Sequence, residues 1–225
     1  MEIKDILARC DHTLLSVDAT REEIFALCDD GIRYGVSTVC IPPSFVAAAK
    51  EYMGDRLALC TVVGFPNGYC ESEIKAEEAR LAVARGADEI DAVINVGKLK
   101  ERDVAYLSRE LSMLRAATGD RVLKIIIETC LLTEEEKILA CELVSRSGAD
   151  YIKTSTGFSK GGATREDVAL LRAHVSPSVK VKAAGGIASF KDAEDMIALG
   201  ADKLGTSRIV KLVKAGESAS SDTSY

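Results

Sequence analysis

Short runs rich in apolar and β-branched residues alternate along the chain with longer stretches in which apolar positions recur among charges. The short runs predict strands at 10–14, 37–41, 57–63, 89–95, 122–128, 151–154, 179–183 and 203–206. The longer stretches predict helices at about 21–34, 44–53, 71–84, 103–117, 134–145, 165–175 and 190–198, with a short one at 207–213. In the third of these, Ile74, Ala79, Leu81, Ala82 and Val83 sit among charged neighbours, the pattern of a helix covering a sheet. A tripeptide repeat supports the alternation. Gly86-Ala87-Asp88, Gly148-Ala149-Asp150 and Gly200-Ala201-Asp202 each follow a predicted helix and precede a predicted strand. Glycine takes the left-handed conformation that ends a helix, and aspartate favours the turn that follows. Strict strand–helix alternation implies a parallel sheet. Eight units in 225 residues predict an α/β protein with one compact (β/α)8 TIM barrel at 1–214 and a flexible, serine-rich tail at 215–225. The alternative is an open doubly wound sheet, whose dinucleotide-binding form is weakened because no GxGxxG follows the first strand.

Composition narrows the function classes. The chain is 47% hydrophobic and carries a formal net charge of −6. Its length suffices for a large core without metals or crosslinks. The acidic balance argues against a nucleic-acid partner, which requires a basic face. No uncharged apolar run approaches the ~18 residues of a membrane span. The opening MEIKDILARC carries charges where a secretory signal is apolar, so the expected location is the cytoplasm. The seven cysteines, at 10, 28, 40, 60, 70, 130 and 141, are scattered and never paired as CxxC. In a reducing compartment they read as small buried side chains or occasional reactive thiols. Only His12 and His174 are available to complete a zinc site with them, so no metal is expected.

The candidate chemistry lies where strands break their own pattern. Strands of a parallel sheet are buried on both faces and should be almost wholly apolar. Yet Asp91 interrupts EIDAVIN, Lys153 interrupts YIKTSTGF, Lys182 interrupts VKVKAAGGI and Lys124 interrupts VLKIIIE. A single lysine of this kind reads as an edge residue or a salt bridge. Several on nearby strands, next to glycine-containing loops, read as a site, because burying a lysine without a purpose costs several kcal/mol. Desolvation and a neighbouring cation both favour the unprotonated amine that attacks a carbonyl. Lys153 and Lys182 on adjacent strands fit that pairing, with Asp91 to move protons, and spacing alone leaves open which lysine is the nucleophile. Gly185-Gly186 after the seventh strand and Gly205-Thr206-Ser207 at the eighth occupy the positions where barrels bind phosphate.

The segments CDHTLL (10–15), VCIPPSFV (39–46), ADEIDAVINVG (87–97), LKIIIET (123–129), ADYIKTSTGF (149–158) and VKAAGGI (181–187) resemble the deoxyribose-phosphate aldolase family, in order, from about residue 4 to residue 214. The resemblance implies a metal-independent class I aldolase, a lyase without cofactor that cleaves 2-deoxy-D-ribose 5-phosphate to glyceraldehyde 3-phosphate and acetaldehyde in deoxynucleoside breakdown. It implies Lys153 as the Schiff-base lysine, Lys182 as the lysine that perturbs it and Asp91 as the proton-relay carboxylate. Lys124 is implied as a charge partner of Asp91. Asp11, Thr13 and Thr156 match positions near the substrate hydroxyls. Gly157, Gly185, Gly186, Gly205 and Ser207 match the phosphate pocket, and Cys40 matches a pocket thiol. The chain departs from the family pattern at Arg208, where members often carry a small residue, and it ends, as some members do, in tyrosine, Tyr225.

Two other functions fit the residues alone: a phosphosugar isomerase without a covalent lysine, and a non-catalytic phosphosugar-binding barrel. The expected partners are small phosphosugars and aldehydes and a second copy of the chain in a homodimer, symmetric homo-oligomers being the commonest assemblies.

Overall fold

The computed structural model describes residues 1–221. Eight parallel strands close into a barrel in sequence order: β1 (Cys10–Thr13), β2 (Thr38–Ile41), β3 (Ala58–Val63), β4 (Glu89–Val93), β5 (Val122–Ile126), β6 (Tyr151–Lys153), β7 (Lys180–Ala184) and β8 (Lys203–Thr206). The helices that cover it are α2 (Arg21–Tyr34), α3 (Val46–Met53), α4 (Ser72–Ala84), α6 (Val104–Thr118), α7 (Glu134–Arg146), α8 (Arg165–His174), α9 (Phe190–Ala198) and α10 (Arg208–Ser221). Two five-residue helices, α1 (Ile3–Leu7) and α5 (Val96–Lys100), were not predicted. One turn and a half is too short to show a 3.6-residue period. α10 runs on through much of the segment expected to be tail, and Tyr225 lies outside the described residues.

The Gly-Ala-Asp repeat has a structural reason. Gly86, Gly148 and Gly200 hold φ values of 104°, 77° and 106°, open to glycine and strained for other residues. The aspartate after each then ties the incoming strand to its predecessor. Asp88 accepts from the Leu59 amide at 3.0 Å, Asp150 from Leu123 at 2.8 Å and Asp202 from Val181 at 2.9 Å. The amides of Asp88, Asp150 and Asp202 return the bond to the same residues' carbonyls.

The two faces of the sheet differ in chemistry. Outward residues such as Val39, Ile41, Leu59, Ile90, Ile125, Ile152, Val181 and Leu204 pack against the helices in one continuous core. Cys40, Cys60 and Val62 form a separate small cluster. The same inner face carries Asp11, Glu89, Asp91, Lys124, Lys153, Lys182 and Lys203, and that is where the site lies.

Candidate active site

Alternation along the strands sends one residue in two into the lumen. Asp91 sits on β4 opposite Lys124 of β5, and Lys153 on β6 sits opposite Lys182 of β7, which itself sits opposite Lys203 of β8. Asp91 is the hub. Its Oδ2 accepts from both Lys153 and Lys182 at 2.7 Å, and its Oδ1 accepts from Lys124 at 2.7 Å and from the Cys60 thiol at 3.2 Å. Lys182 also donates to Asp11, which takes a further bond from the Thr38 hydroxyl. Lys203 closes the network with Glu89 at 2.7 Å and Asp11 at 3.1 Å, and Lys124 reaches Glu89 at 2.5 Å.

These charges are shielded from water and hold one another. Burial alone would push the Asp91 carboxyl up, but Lys124, Lys153 and Lys182 outweigh it and hold Asp91 well below the ordinary carboxylate range. Burial would likewise deprotonate Lys182, but Asp11 and Asp91 prevail and keep it a firm cation. Lys124 is kept protonated in the same way, burial being outweighed chiefly by Asp91. Lys182 is therefore a fixed positive charge sharing one carboxylate oxygen with Lys153.

Above this layer opens a cavity of about 770 Å³. Lys153 borders it, together with Thr13, Thr156, Gly157, Gly185, Gly186, Gly205 and Ser207, so these eight residues singled out by sequence meet around one cavity. Asp91, Lys182, Asp11, Lys124 and Cys40 do not border it; they lie buried beneath. Gly185 and Gly186 take φ values of 79° and 78° in the turn to α9. A Cβ on Gly162 would stand 2.5 Å from the Gly185 carbonyl carbon, so glycine is what lets the loops after β6 and β7 touch. Arg208, at the start of α10, lines the same wall as Ser207.

Three residues of the site were not singled out by sequence. Lys203 and Glu89 stand at strand starts, where a charge reads as part of a turn. Glu128 follows β5 and looks like an ordinary polar strand end. In the fold it is buried, with a left-handed φ of 56°. Its carboxylate accepts from the Thr156 amide at 3.2 Å and from the Thr156 hydroxyl at 2.5 Å. A non-glycine residue in that backbone region carries roughly 1–3 kcal/mol of strain and marks a held position.

The sulfur atoms of Cys40 and Cys60 and a carboxylate oxygen of Asp91 lie within 4.8 Å of one another, a spacing suited to a metal ion. Three lysine side chains surround Asp91, with Lys124 and Lys182 held as cations, and that positive field opposes a dication there.

The comparisons agree on one family. Residues 6–209 match the family model described as DeoC/LacD family aldolase. The chain is 53% identical over 214 residues to a deoxyribose-phosphate aldolase of Streptococcus agalactiae serotype Ia, covering 95% of this chain and 96% of that one. It is equally 53% identical over 214 residues to the enzyme of that name from Streptococcus pyogenes serotype M4, with the same coverage, 95% and 96%. A tetrameric deoxyribose phosphate aldolase structure from Aeropyrum pernix superposes with a TM-score of 0.86 at 31% identity, covering 97% of this chain and 93% of that one.

Proposed function

The chain belongs to the DeoC/LacD family of aldolases, and we propose that Lys153 is the amine through which it reversibly cleaves 2-deoxy-D-ribose 5-phosphate into D-glyceraldehyde 3-phosphate and acetaldehyde. The observation that carries this assignment is the position of Lys153: it alone of the four lumen lysines borders the cavity, and it shares Asp91 Oδ2 with the cation Lys182. Family membership favours this lyase reading over an isomerase or a binding barrel.

The Lys153 amine attacks the aldehyde carbon of the open-chain sugar, and loss of water gives an iminium. Removal of the C3 hydroxyl proton then breaks the C2–C3 bond. Glyceraldehyde 3-phosphate leaves, and the electron pair remains as an enamine on Lys153. Protonation and hydrolysis release acetaldehyde and restore the amine. Asp91 is the proton carrier for these steps, acting directly or through a water. Lys182 holds Asp91 in place and sets a fixed cation beside the Lys153 amine on the same carboxylate oxygen. Lys124 and Asp11 serve from the layer below, anchoring Asp91 and Lys182.

Thr13 and Thr156 are placed to meet the sugar hydroxyls. Gly157, Gly185, Gly186, Gly205 and Ser207 form the phosphate end, where backbone N–H groups at helix starts favour an anion. Arg208 adds a guanidinium to that wall, a charge-assisted partner for phosphate. Cys40 lies too deep to be a primary contact. No step requires a metal or an organic cofactor. The small phosphosugar partner follows from the family; the homodimer stays a proposal, as does a cytoplasmic location where scattered thiols remain reduced. None of the described helices is long and apolar enough to cross a membrane.

Turnover of 2-deoxy-D-ribose 5-phosphate by the Lys153→Ala variant tests the assignment. Cleavage should vanish while the circular dichroism spectrum stays unchanged. Residual turnover within about tenfold of wild type, ~1.4 kcal/mol of barrier, would sink it.

A further inference from the structure

The lumen holds two thiols that the reaction above does not use. Cys40 of β2 and Cys60 of β3 stand opposite each other in parallel register, both inside the barrel. Neighbouring strands run ~4.8 Å apart, within the Cα separation that a disulfide spans. The two sulfurs lie within 4.8 Å of each other. We infer that Cys40 and Cys60 form a modification site for small hydroperoxides, closing to a reversible disulfide inside the barrel.

The pair is chemically unequal. Hydrogen bonding from Cys60 holds the Cys40 thiol below its ordinary value, while burial pushes Cys60 up. Cys40 is thus the attacking sulfur and Cys60 the resolving one. Elsewhere burial pushes Cys10 and Cys141 up to about 12 and Cys28 to about 11, which leaves those thiols inert. The route in is the cavity: Cys40 pairs in register with Thr13, which lines it, and hydrogen peroxide is smaller than any phosphosugar.

The Cys40 thiolate attacks one peroxide oxygen, the O–O bond breaks, and the departing hydroxide takes a proton to become water. Cys40 is left as a sulfenic acid. The Cys60 sulfur then attacks the Cys40 sulfur, the S–O bond breaks, and the second hydroxide leaves as water with the Cys60 proton. Both thiols are oxidised to one disulfide and the peroxide is reduced. In the reduced protein Cys60 touches Asp91 Oδ1 at 3.2 Å and Lys124 Nζ at 3.4 Å. The disulfide draws its sulfur from that position and takes a donor from the hub carboxylate, so the oxidised protein loses turnover.

The test is oxidation of the full-length, folded, reduced protein with hydrogen peroxide, followed by alkylation of free thiols and peptide mass spectrometry. The expected product is a peptide pair joined through Cys40 and Cys60, removed by dithiothreitol. Turnover should fall in step with the crosslink and return on reduction. In Cys60→Ser the crosslink disappears and Cys40 is captured by a sulfenic-acid reagent. Full alkylation of Cys40 and Cys60 after peroxide has oxidised Cys70 or Cys130 would overturn the inference. So would a crosslinked protein with undiminished turnover. The crosslink is read without substrate, so a failure of the aldolase assignment would show separately, as absent turnover before any oxidant is added.

Discussion

Seven lysine and carboxylate side chains share the lumen, with Lys124, Lys153, Lys182 and Lys203 set against Asp11, Glu89 and Asp91. Four ammonium groups would exceed three carboxylates by one charge in a medium where an unbalanced charge is costly. Of the four lysines, Lys153 is the one facing the cavity. Asp91, Lys153 and Lys182 were legible in the sequence because a charge in the middle of a buried strand contradicts its neighbours. Glu128 was not, since its role depends on a backbone twist and on contact with Thr156 across 28 residues. Replacing it with alanine leaves the buried Thr156 amide and hydroxyl without their partner, at roughly 1–3 kcal/mol. Steady-state kinetics of Glu128→Ala should show kcat/KM lowered by roughly ten- to a hundredfold, with Glu128→Gln closer to wild type. Wild-type kinetics in the alanine variant would remove Glu128 from the account.

At the level of elements, the loop after β4 is fixed from outside the barrel. Lys75 of α4 and Glu110 of α6 form a fully buried ion pair at 2.7 Å. Lys75 also donates to the Val93 carbonyl at 2.9 Å, and Glu110 accepts from the Asn95 amide at 3.0 Å and from the Ser72 hydroxyl at 3.3 Å. The pair therefore clamps the end of the strand that carries Asp91. Both helices were legible to within a residue or two, because each is long enough to show its period. The clamp was hidden, since Lys75 and Glu110 look like any solvent-facing charges on a covering helix. Removing one partner of a buried pair costs roughly 3–5 kcal/mol. Urea unfolding of Glu110→Ala should show a loss of that size with an unchanged slope. A loss below ~1 kcal/mol would mean that the pair is not the clamp described.

For the whole molecule, the alternation of apolar runs and amphipathic stretches, supported by three Gly-Ala-Asp junctions, made eight strand–helix units legible, while closure into a barrel followed only from their number. What the repeat does not encode is how the first and last units meet. There His12 of β1 is buried beside α10, near Asp30, Lys211 and Lys214, with its Nδ1 unpartnered among the described residues. Burial holds this imidazole down to about 4, from an ordinary value near 6.5. Between those values the unfolded chain binds a proton that the folded protein refuses, so stability rises with pH across that window. Acidification from pH 7 to pH 4.5 should lower the melting temperature, through a contribution of about 2 kcal/mol from His12. His12→Leu should show a smaller drop over the same range. Equal drops in the two proteins would place the acid sensitivity elsewhere. The carboxylates of the lumen act below that window: with Asp11 and Asp91 held under their ordinary range, their contribution is complete above about pH 4 and is lost as pH falls further.

The proposed mechanism turns on the Lys153 amine as the point where a substrate becomes covalent. Borohydride reduction in the presence of acetaldehyde or 2-deoxy-D-ribose 5-phosphate, followed by peptide mass spectrometry, reads that bond directly. The account predicts a single reduced adduct on Lys153. An adduct on Lys182 would keep the reaction class and exchange the two lysines, and no adduct on folded, ligand-saturated protein would contradict covalent catalysis altogether.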